Sequence, residues 1–162
     1  MLAMKQSIRV LALLVLLCVL SPAQATTDSR LMSDAEYKAF LIQVEARLAE
    51  WERALQSVDP AKTNMSYAVG ERIVQYKNIG LIEVKNARDY VHQERVHRRV
   101  SNELALHGFL QGIFDSMHNI LILEPRTYAP LESYAREMGE LIAKVANDTT
   151  ARVELLEKGT CP

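Results

Sequence analysis

Apolar residues recur along the chain at alternating steps of four and three, and the first such stripe begins shortly after Ser33. This spacing places the apolar side chains on one face of an α-helix and leaves the charged positions between them for solvent. Ser33 and Glu36 form a capping-box pattern before the stripe, and Asp59-Pro60 is typical of the start of a following helix. The sequence therefore predicts a helix over residues 34–57. Its stripe comprises Tyr37, Leu41, Val44, Leu48, Trp51 and Leu55.

Two further stripes follow in the middle of the chain, out of phase with each other, and they predict helices over about 61–97 and 102–123. Residues 92–99 between them carry a single apolar side chain, which favours a turn near 97–103. A helix end at Gly80 is the alternative, and it would divide the second helix to give five helices. The stripes comprise Val69, Ile73, Tyr76, Gly80, Val84, Ala87 and Val91, then Leu106, Leu110, Ile113, Met117 and Leu121.

A fourth stripe predicts the last helix, over residues 130–158. Pro125 ends the preceding helix because the residue before a proline resists helical geometry, whereas Pro130 is tolerated in a first helical turn. Acid-before-base pairs four residues apart, such as Asp148–Arg152, indicate a solvated outer face. The stripe comprises Leu131, Tyr134, Met138, Leu141, Val145, Thr149 and Leu156.

No stretch alternates between apolar and polar residues with period two, so the sequence predicts no sheet. The predicted helices are long and their connections short, which favours antiparallel neighbours. We therefore expect an all-α fold, an up-down-up-down antiparallel bundle of four helices, or of five if the second segment divides.

The N-terminal residues have the pattern of a secretory signal. Lys5 and Arg9 precede an unbroken apolar run of eleven residues, and the small residues Ala23 and Ala25 form a cleavage signature. The run is too short to cross a hydrocarbon layer of about 30 Å as a helix. We therefore expect a signal peptide over 1–25.

Cleavage there leaves a single helical-bundle domain over 26–162, which we expect in the periplasm or outside the cell. Without Lys5 and Arg9 this part has 17 basic and 20 acidic residues, a net charge near −3. That balance is not typical of a nucleic-acid-binding protein. No second apolar stretch approaches membrane-spanning length, so we expect no membrane insertion after cleavage.

The predicted mature chain keeps one cysteine, because Cys18 lies in the signal and Cys161 is next to the C-terminus. Exported compartments are usually oxidising, so an odd cysteine can form an intermolecular disulfide. The alternatives are an exposed thiol without a function and a disulfide that links Cys161 of two copies.

No catalytic motif is found: there is no G-x-S-x-G, no glycine-rich phosphate loop and no H-E-x-x-H. We therefore assign no catalytic residue and expect a protein that is not an enzyme. The interpretation we favour is macromolecular binding, as an adaptor, an inhibitor or immunity protein, or a chaperone-like factor whose partner is another protein.

Two features suggest a partner-binding face. Arg95, Arg98 and Arg99 form a local basic patch whose guanidinium groups can hold acidic groups, although a solvated helix end has the same composition. Gly108 and Gly112 belong to a stripe of small residues that permits close approach of another helix. That helix can come from the same chain, from a second copy in a homodimer, or from a partner.

Histidines in the middle of the chain suggest an alternative function, a metal- or haem-binding bundle. His107, Asp115 and His118 fall on one lane of the third predicted helix, and His97 follows Glu94 by three residues. No matching inward set of glutamates is visible, and the C-x-x-C-H motif of covalent haem attachment does not occur. We therefore favour an ordinary polar face and expect no cofactor.

Overall fold

The computed structural model describes residues 30–62, 65–94, 98 and 100–159, and within these ranges it has four α-helices and no strand. The helices are α1 (Asp34–Gln56), α2 (Tyr67–Glu94), α3 (Val100–Leu123) and α4 (Leu131–Glu157), and a 3₁₀ turn at Pro60–Lys62 precedes α2. They pack against one another, which confirms the predicted all-α bundle. The predictions for residues 1–25, Arg95, His97, Arg99 and Cys161 lie outside the described residues.

The start of α2 differs most from the sequence-based expectation, since the helix begins at Tyr67 and not near residue 61. The Asp59 carboxylate accepts a hydrogen bond from the Ala61 N–H at 3.1 Å, and this contact favours a tight turn at the position where a helix was expected. Val58 enters the core just before the turn. Helical hydrogen bonding starts again only when the Ser66 carbonyl accepts from Gly70.

Helix α2 continues through Gly80, so the five-helix alternative does not describe this fold. A Cβ atom at Gly80 would lie 2.9 Å from Leu55 Cδ1 and 3.0 Å from Ser116 Cβ. These distances are shorter than ordinary van der Waals contact, so the absence of a side chain at Gly80 lets α1, α2 and α3 approach each other here.

The predicted capping box at the start of α1 is confirmed. Ser33 Oγ accepts from the Glu36 N–H at 3.3 Å, and Glu36 Oε2 accepts from the Ser33 N–H at 2.7 Å. The hydrogen bond from the Ser33 backbone, followed by that from its hydroxyl, lowers the pKa of the Glu36 carboxyl. At the other end of the chain, Gly159 has a φ of 69°, in keeping with a glycine that ends α4.

The core follows the predicted stripes on all four helices, and two clear departures lie on α4. Every member of the α1 stripe is buried, together with Phe40, which the pattern did not include. On α4, Leu156 is 50% exposed although it continues the stripe, and Asp148 is fully buried although its pairing pattern placed it on the outer face. The buried carboxylate of Asp148 belongs to the site described next.

Two ends of the bundle carry different chemistry. Residues 57–62 follow α1 on the way to α2, and residues 124–130 connect α3 to α4. These two connectors lie next to each other, as the effect of the Asp59 carboxylate on the pKa of Tyr128 indicates. We call this the cleft end. At the opposite end, Arg98 lies between α2 and α3 and contacts the residues that start α1.

Candidate functional site

A buried cluster of charged residues closes the end of the bundle opposite the cleft end. The Arg98 guanidinium donates to Glu103 Oε1 at 2.8 Å and also to Asp148 Oδ2. Arg152 Nε lies 3.4 Å from Glu103 Oε1. The side chains of Glu103 and Asp148 are 0% exposed, and those of Arg98 and Arg152 are 10% and 14% exposed. We call these four residues the Arg98 network.

The network also holds the segment before α1. Arg98 donates to the Met32 carbonyl at 2.8 Å, while the Met32 N–H donates to Asp148 Oδ1. The guanidinium lies over the Tyr37 ring, 4.2 Å from its centroid, at a distance typical of a cation–π contact. Arg98 therefore connects the chain between α2 and α3 to α1, α3 and α4 at once.

Burial shifts the pKa of both charged partners in characteristic directions. Desolvation raises the pKa of the Glu103 carboxyl and outweighs the opposite effects of Arg98 and Arg152. Desolvation lowers the pKa of Arg98, but its hydrogen bonds to Glu103 and Asp148 outweigh that effect, so the pKa is raised overall. Arg98 thus stays charged, while Glu103 takes up a proton more readily than an exposed glutamate.

This geometry bears on the predicted partner-binding residues. Arg98 directs its donors into the fold, so in this structure it holds helices together and does not present a cation to a partner. Sequence reasoning missed Glu103 as its counterion, although Glu103 precedes Leu106 by three residues and therefore lies on the apolar stripe of α3. A carboxylate at helical spacing from buried apolar residues needs a buried counterion, and this pattern could have identified Glu103 from the sequence.

The two glycines of the predicted face have different surroundings. A Cβ atom at Gly112 would lie 2.8 Å from Glu83 Cγ, so Gly112 allows close packing against α2 of the same chain. Gly108 is exposed, and a Cβ atom there would have no neighbour within 4 Å. Packing within the chain therefore accounts for Gly112 and not for Gly108.

Two histidines of the alternative function, His107 and His118, lie on α3. His107 is half-buried, and His118 is exposed and stacked on Phe114 with ring centroids 5.7 Å apart. Asp115 is exposed and accepts a hydrogen bond from Gln111 Nε2 at 2.9 Å. Within the part of the chain that the structure describes, no group of three or more His, Cys, Asp or Glu residues could hold a metal ion.

The cleft end carries two adjoining concave surfaces that the sequence did not predict. The larger cleft, of about 380 Å³, lies between the end of α1 and the start of α4. The smaller cleft, of about 200 Å³, lies between the two connectors. The larger is lined by Glu50, Arg53, Ala54, Ser57, Pro130, Leu131 and Tyr134, and the smaller by Ser57, Val58, Asp59, Thr127, Tyr128, Pro130 and Leu131.

Charged groups and one tyrosine side chain line each of the two clefts. Glu50 accepts from Arg47 at 2.7 Å, and Arg53 Nε donates to the Ala49 carbonyl at 3.2 Å, which fixes the base of the Arg53 guanidinium beside the larger cleft. In the smaller cleft, burial, followed by the nearby Asp59 carboxylate, raises the pKa of Tyr128. The hydroxyl oxygen itself is buried, so Tyr128 contributes its position in the wall and not an accessible donor.

A third cleft, of about 440 Å³, lies against the first turns of α2. Its lining includes two exposed residues, Tyr67 at 83% and Val74 at 43% of their full accessibility. The Tyr67 hydroxyl hydrogen-bonds to Glu71, and this contact raises the pKa of Tyr67. The third cleft thus lies where the connector before α2 meets the first two turns of that helix.

None of the helices in the described ranges combines the length and apolar character needed to cross a membrane. No protein family, no curated protein and no solved structure matches the chain.

Proposed function

We propose that this protein is an exported helical bundle that acts by binding another protein and not by catalysis. The observation that supports this proposal is the pair of adjoining clefts at the cleft end, which share Ser57, Pro130 and Leu131 in their linings. Because the two clefts are adjacent, one bound partner could contact both of them.

The lining favours a polypeptide as the bound molecule. The larger cleft combines the aromatic ring of Tyr134 with the charges of Glu50 and Arg53. Tyrosine and arginine are enriched in protein interfaces, where a flat ring gives contact area and a guanidinium gives directed hydrogen bonds. The exposed Ser57 hydroxyl, which both clefts share, could accept a hydrogen bond from a backbone N–H of a bound segment.

This proposal places the binding site away from the basic patch that the sequence suggested. Arg98 is committed to buried ion pairs, and the structure does not describe Arg95 and Arg99. The Arg98 network holds the opposite end of the bundle together, so we assign it a structural role and assign partner binding to the cleft end.

We also infer the finer topology and the compartment. The bundle runs up-down-up-down. Contacts between residues of neighbouring helices support this topology, because the residue numbers of the contact pairs increase along one helix and decrease along the other. Residues 26–162 form one domain, and 1–25 are a cleaved signal that directs it to the periplasm or outside the cell, as the basic start and apolar run of 1–25 support. The contact pairs that support the antiparallel topology are Glu52–Arg88 and Leu55–Gly80 between α1 and α2, Gly80–Ser116 and Glu83–Gly112 between α2 and α3, and Met32–Asp148 and Arg47–Glu137 between α4 and α1 with the segment before it.

The test begins with purification of the chain from its native host, identification of co-purifying proteins by mass spectrometry, and titration calorimetry with the purified candidate. Arg53→Glu reverses a charge in the larger cleft, and Ser57→Trp fills the wall that both clefts share. We expect each to weaken binding at least about tenfold, a loss of about 1.4 kcal/mol. Arg72→Glu and Ala143→Trp make the same changes at exposed positions of α2 and α4 that line neither cleft.

The controls decide the interpretation. Weaker binding by the two cleft variants, with unchanged binding by the controls, supports the cleft end as the binding site. The absence of any stoichiometric partner, or equal binding by all four variants, would overturn the proposal.

A further inference from the structure

Half of the large apolar side chains that are exposed in the described residues belong to one helix, α2. They are Tyr67, Val74, Ile79 and Ile82. Val74 and Ile82 are 43% and 58% exposed on a helix whose opposite face is buried against α1 and α3. Exposed aliphatic residues scattered singly need no explanation, but these two follow a pattern with the polar residues around them.

The pattern is symmetric about Asn78. Val74 and Ile82 lie four residues before and after it, and Glu71 and Lys85 lie seven residues before and after it. All five side chains are exposed. Their spacing of three and four residues places them on one stripe along the outer face of α2, and Tyr67 and Asp89 continue the stripe at eleven residues on either side of Asn78.

This symmetry has a specific consequence for two copies of the helix. When identical helices pack antiparallel about a two-fold axis, a residue before the axis meets the residue equally far after it on the other copy. An axis through Asn78 would therefore place Val74 against Ile82, and Glu71 against Lys85. Each pair occurs twice, so the central part of the stripe pairs apolar with apolar residues and opposite charges with each other.

The helical geometry is compatible with such a contact. The steps of four, three and four residues sum to eleven per three turns, or about 3.67 residues per turn, so the stripe stays on one face of a nearly straight helix. At a rise of 1.5 Å per residue, the 22 steps from Tyr67 to Asp89 give a contact about 33 Å long. A polar residue at the centre, as at Asn78, fixes the register of paired helices.

We propose that a second copy of this chain docks on the outer face of α2, antiparallel about a two-fold axis through Asn78, to form a homodimer. We infer a second copy as the occupant from charge complementarity. The two-fold axis pairs Glu71 of each copy with Lys85 of the other, so the stripe fits another copy of itself. This surface lies on the side of α2 and the two adjoining clefts lie at the end of the bundle, so the dimer leaves the proposed partner site open.

Charge reversal tests this arrangement directly. Lys85→Glu places like charges opposite each other at Glu71, and Glu71→Lys does the same at Lys85. We expect either variant to raise the dimer dissociation constant at least about tenfold, because like charges placed opposite one another oppose association. An equimolar mixture of the two variants should form a heterodimer, since each contributes the charge that the other lacks.

The double variant Glu71→Lys with Lys85→Glu should dimerise again, because both ion pairs are restored with their signs exchanged. Lys38→Glu, on the exposed face of α1, is the matched control and should leave dimerisation unchanged. The measurement is sedimentation equilibrium of the purified chain over a concentration series, with reducing agent present so that Cys161 cannot link copies. Circular dichroism of every variant verifies that the helices are retained.

Weaker association of the single variants, together with recovery in the mixture and in the double variant, establishes the α2 dimer. A wild-type chain that is monomeric throughout the series overturns it, and so does a dimer that the single variants do not weaken. A monomer that still binds its partner at the cleft end would overturn the dimer and leave the proposed function intact.

Discussion

Arg98 and Asp148 form a buried ion pair that joins the connection between α2 and α3 to the C-terminal half of α4. The two residues are 50 positions apart in sequence, and both also contact the backbone of Met32. One ion pair therefore fixes the segment that precedes α1 against two other parts of the chain. At the opposite end, the charged residues Glu50 and Arg53 line the larger cleft and are not fully buried.

Removal of Arg98 should destabilise the protein strongly. Arg98→Met would leave the carboxylates of Glu103 and Asp148 buried without their main counterion, and breaking a buried pair in this way typically costs about 3–5 kcal/mol. Urea denaturation at neutral pH measures the change in the free energy of unfolding. Arg136→Met, at an exposed position of α4, is the control. A loss of less than about 1 kcal/mol for Arg98→Met would contradict the structural role of the network.

Glu103 should make stability fall as pH rises. Its pKa in the folded chain is raised by burial above the ordinary value of 4.5, so the folded state holds the proton more tightly than the unfolded state. At pH values between the ordinary pKa of Glu103 and its raised pKa, the free energy of unfolding therefore decreases as pH increases. Glu103→Gln imitates the protonated form and should lack this part of the pH dependence.

Denaturation at a series of pH values, from below 4.5 upward, compares the two proteins. The wild type should become less stable relative to Glu103→Gln as pH rises through that window. A relative change in the opposite direction would show that the folded pKa of Glu103 is lowered.

The capping box should have the opposite pH dependence. The hydrogen bonds with Ser33 lower the pKa of Glu36. The contribution of Glu36 to folding stability is therefore present above its ordinary pKa and is lost as pH falls through its lowered pKa. Ser33→Ala should cost about 1 kcal/mol at neutral pH because it removes the side-chain cap of α1. Ser133→Ala, inside the first turn of α4, removes a hydroxyl without removing an N-cap and should have a smaller effect.

Two glycines of the bundle should respond to alanine in opposite ways. At Gly80 the new methyl group would meet Leu55 and Ser116 at about 3 Å, and such overpacking costs about 1–3 kcal/mol, more than the helix propensity gained. At Gly108 the methyl group meets open space, so Gly108→Ala should stabilise the chain by up to about 1 kcal/mol. Thermal unfolding of both variants checks the sign. An equal effect would contradict the close approach of α1, α2 and α3 at Gly80.

Periodicity predicted the helices well where a stripe faces other helices along its whole length, as on α1. It failed at Leu156 because the bundle ends before that residue: Thr149 and Arg152 already lie beside Glu103, near the start of α3. Beyond them no helix of the described residues covers α4. Asp148 was misplaced for a related reason, since spacing to Arg152 suggested an exposed ion pair, while the counterion in the fold is Arg98 from another part of the chain.

The candidate site was less predictable than the fold. The larger cleft joins Arg53 of α1 to Tyr134 of α4, which are far apart in sequence and belong to no motif. Only the packing of α1 against α4 brings them together. The outer stripe of α2 was visible in the sequence as spaced residues, but its significance depends on knowing that α2 is one continuous helix and that this face is exposed.

Hydrogen–deuterium exchange with and without the identified partner tests the central claim, protein binding at the cleft end, most directly. We predict slower amide exchange on partner binding in residues 50–59 and 127–134, which include the linings of both clefts. Residues around Arg98 and along the outer face of α2 should exchange at the same rate with and without the partner. Protection confined to those regions, with none at the cleft end, would contradict the proposed function.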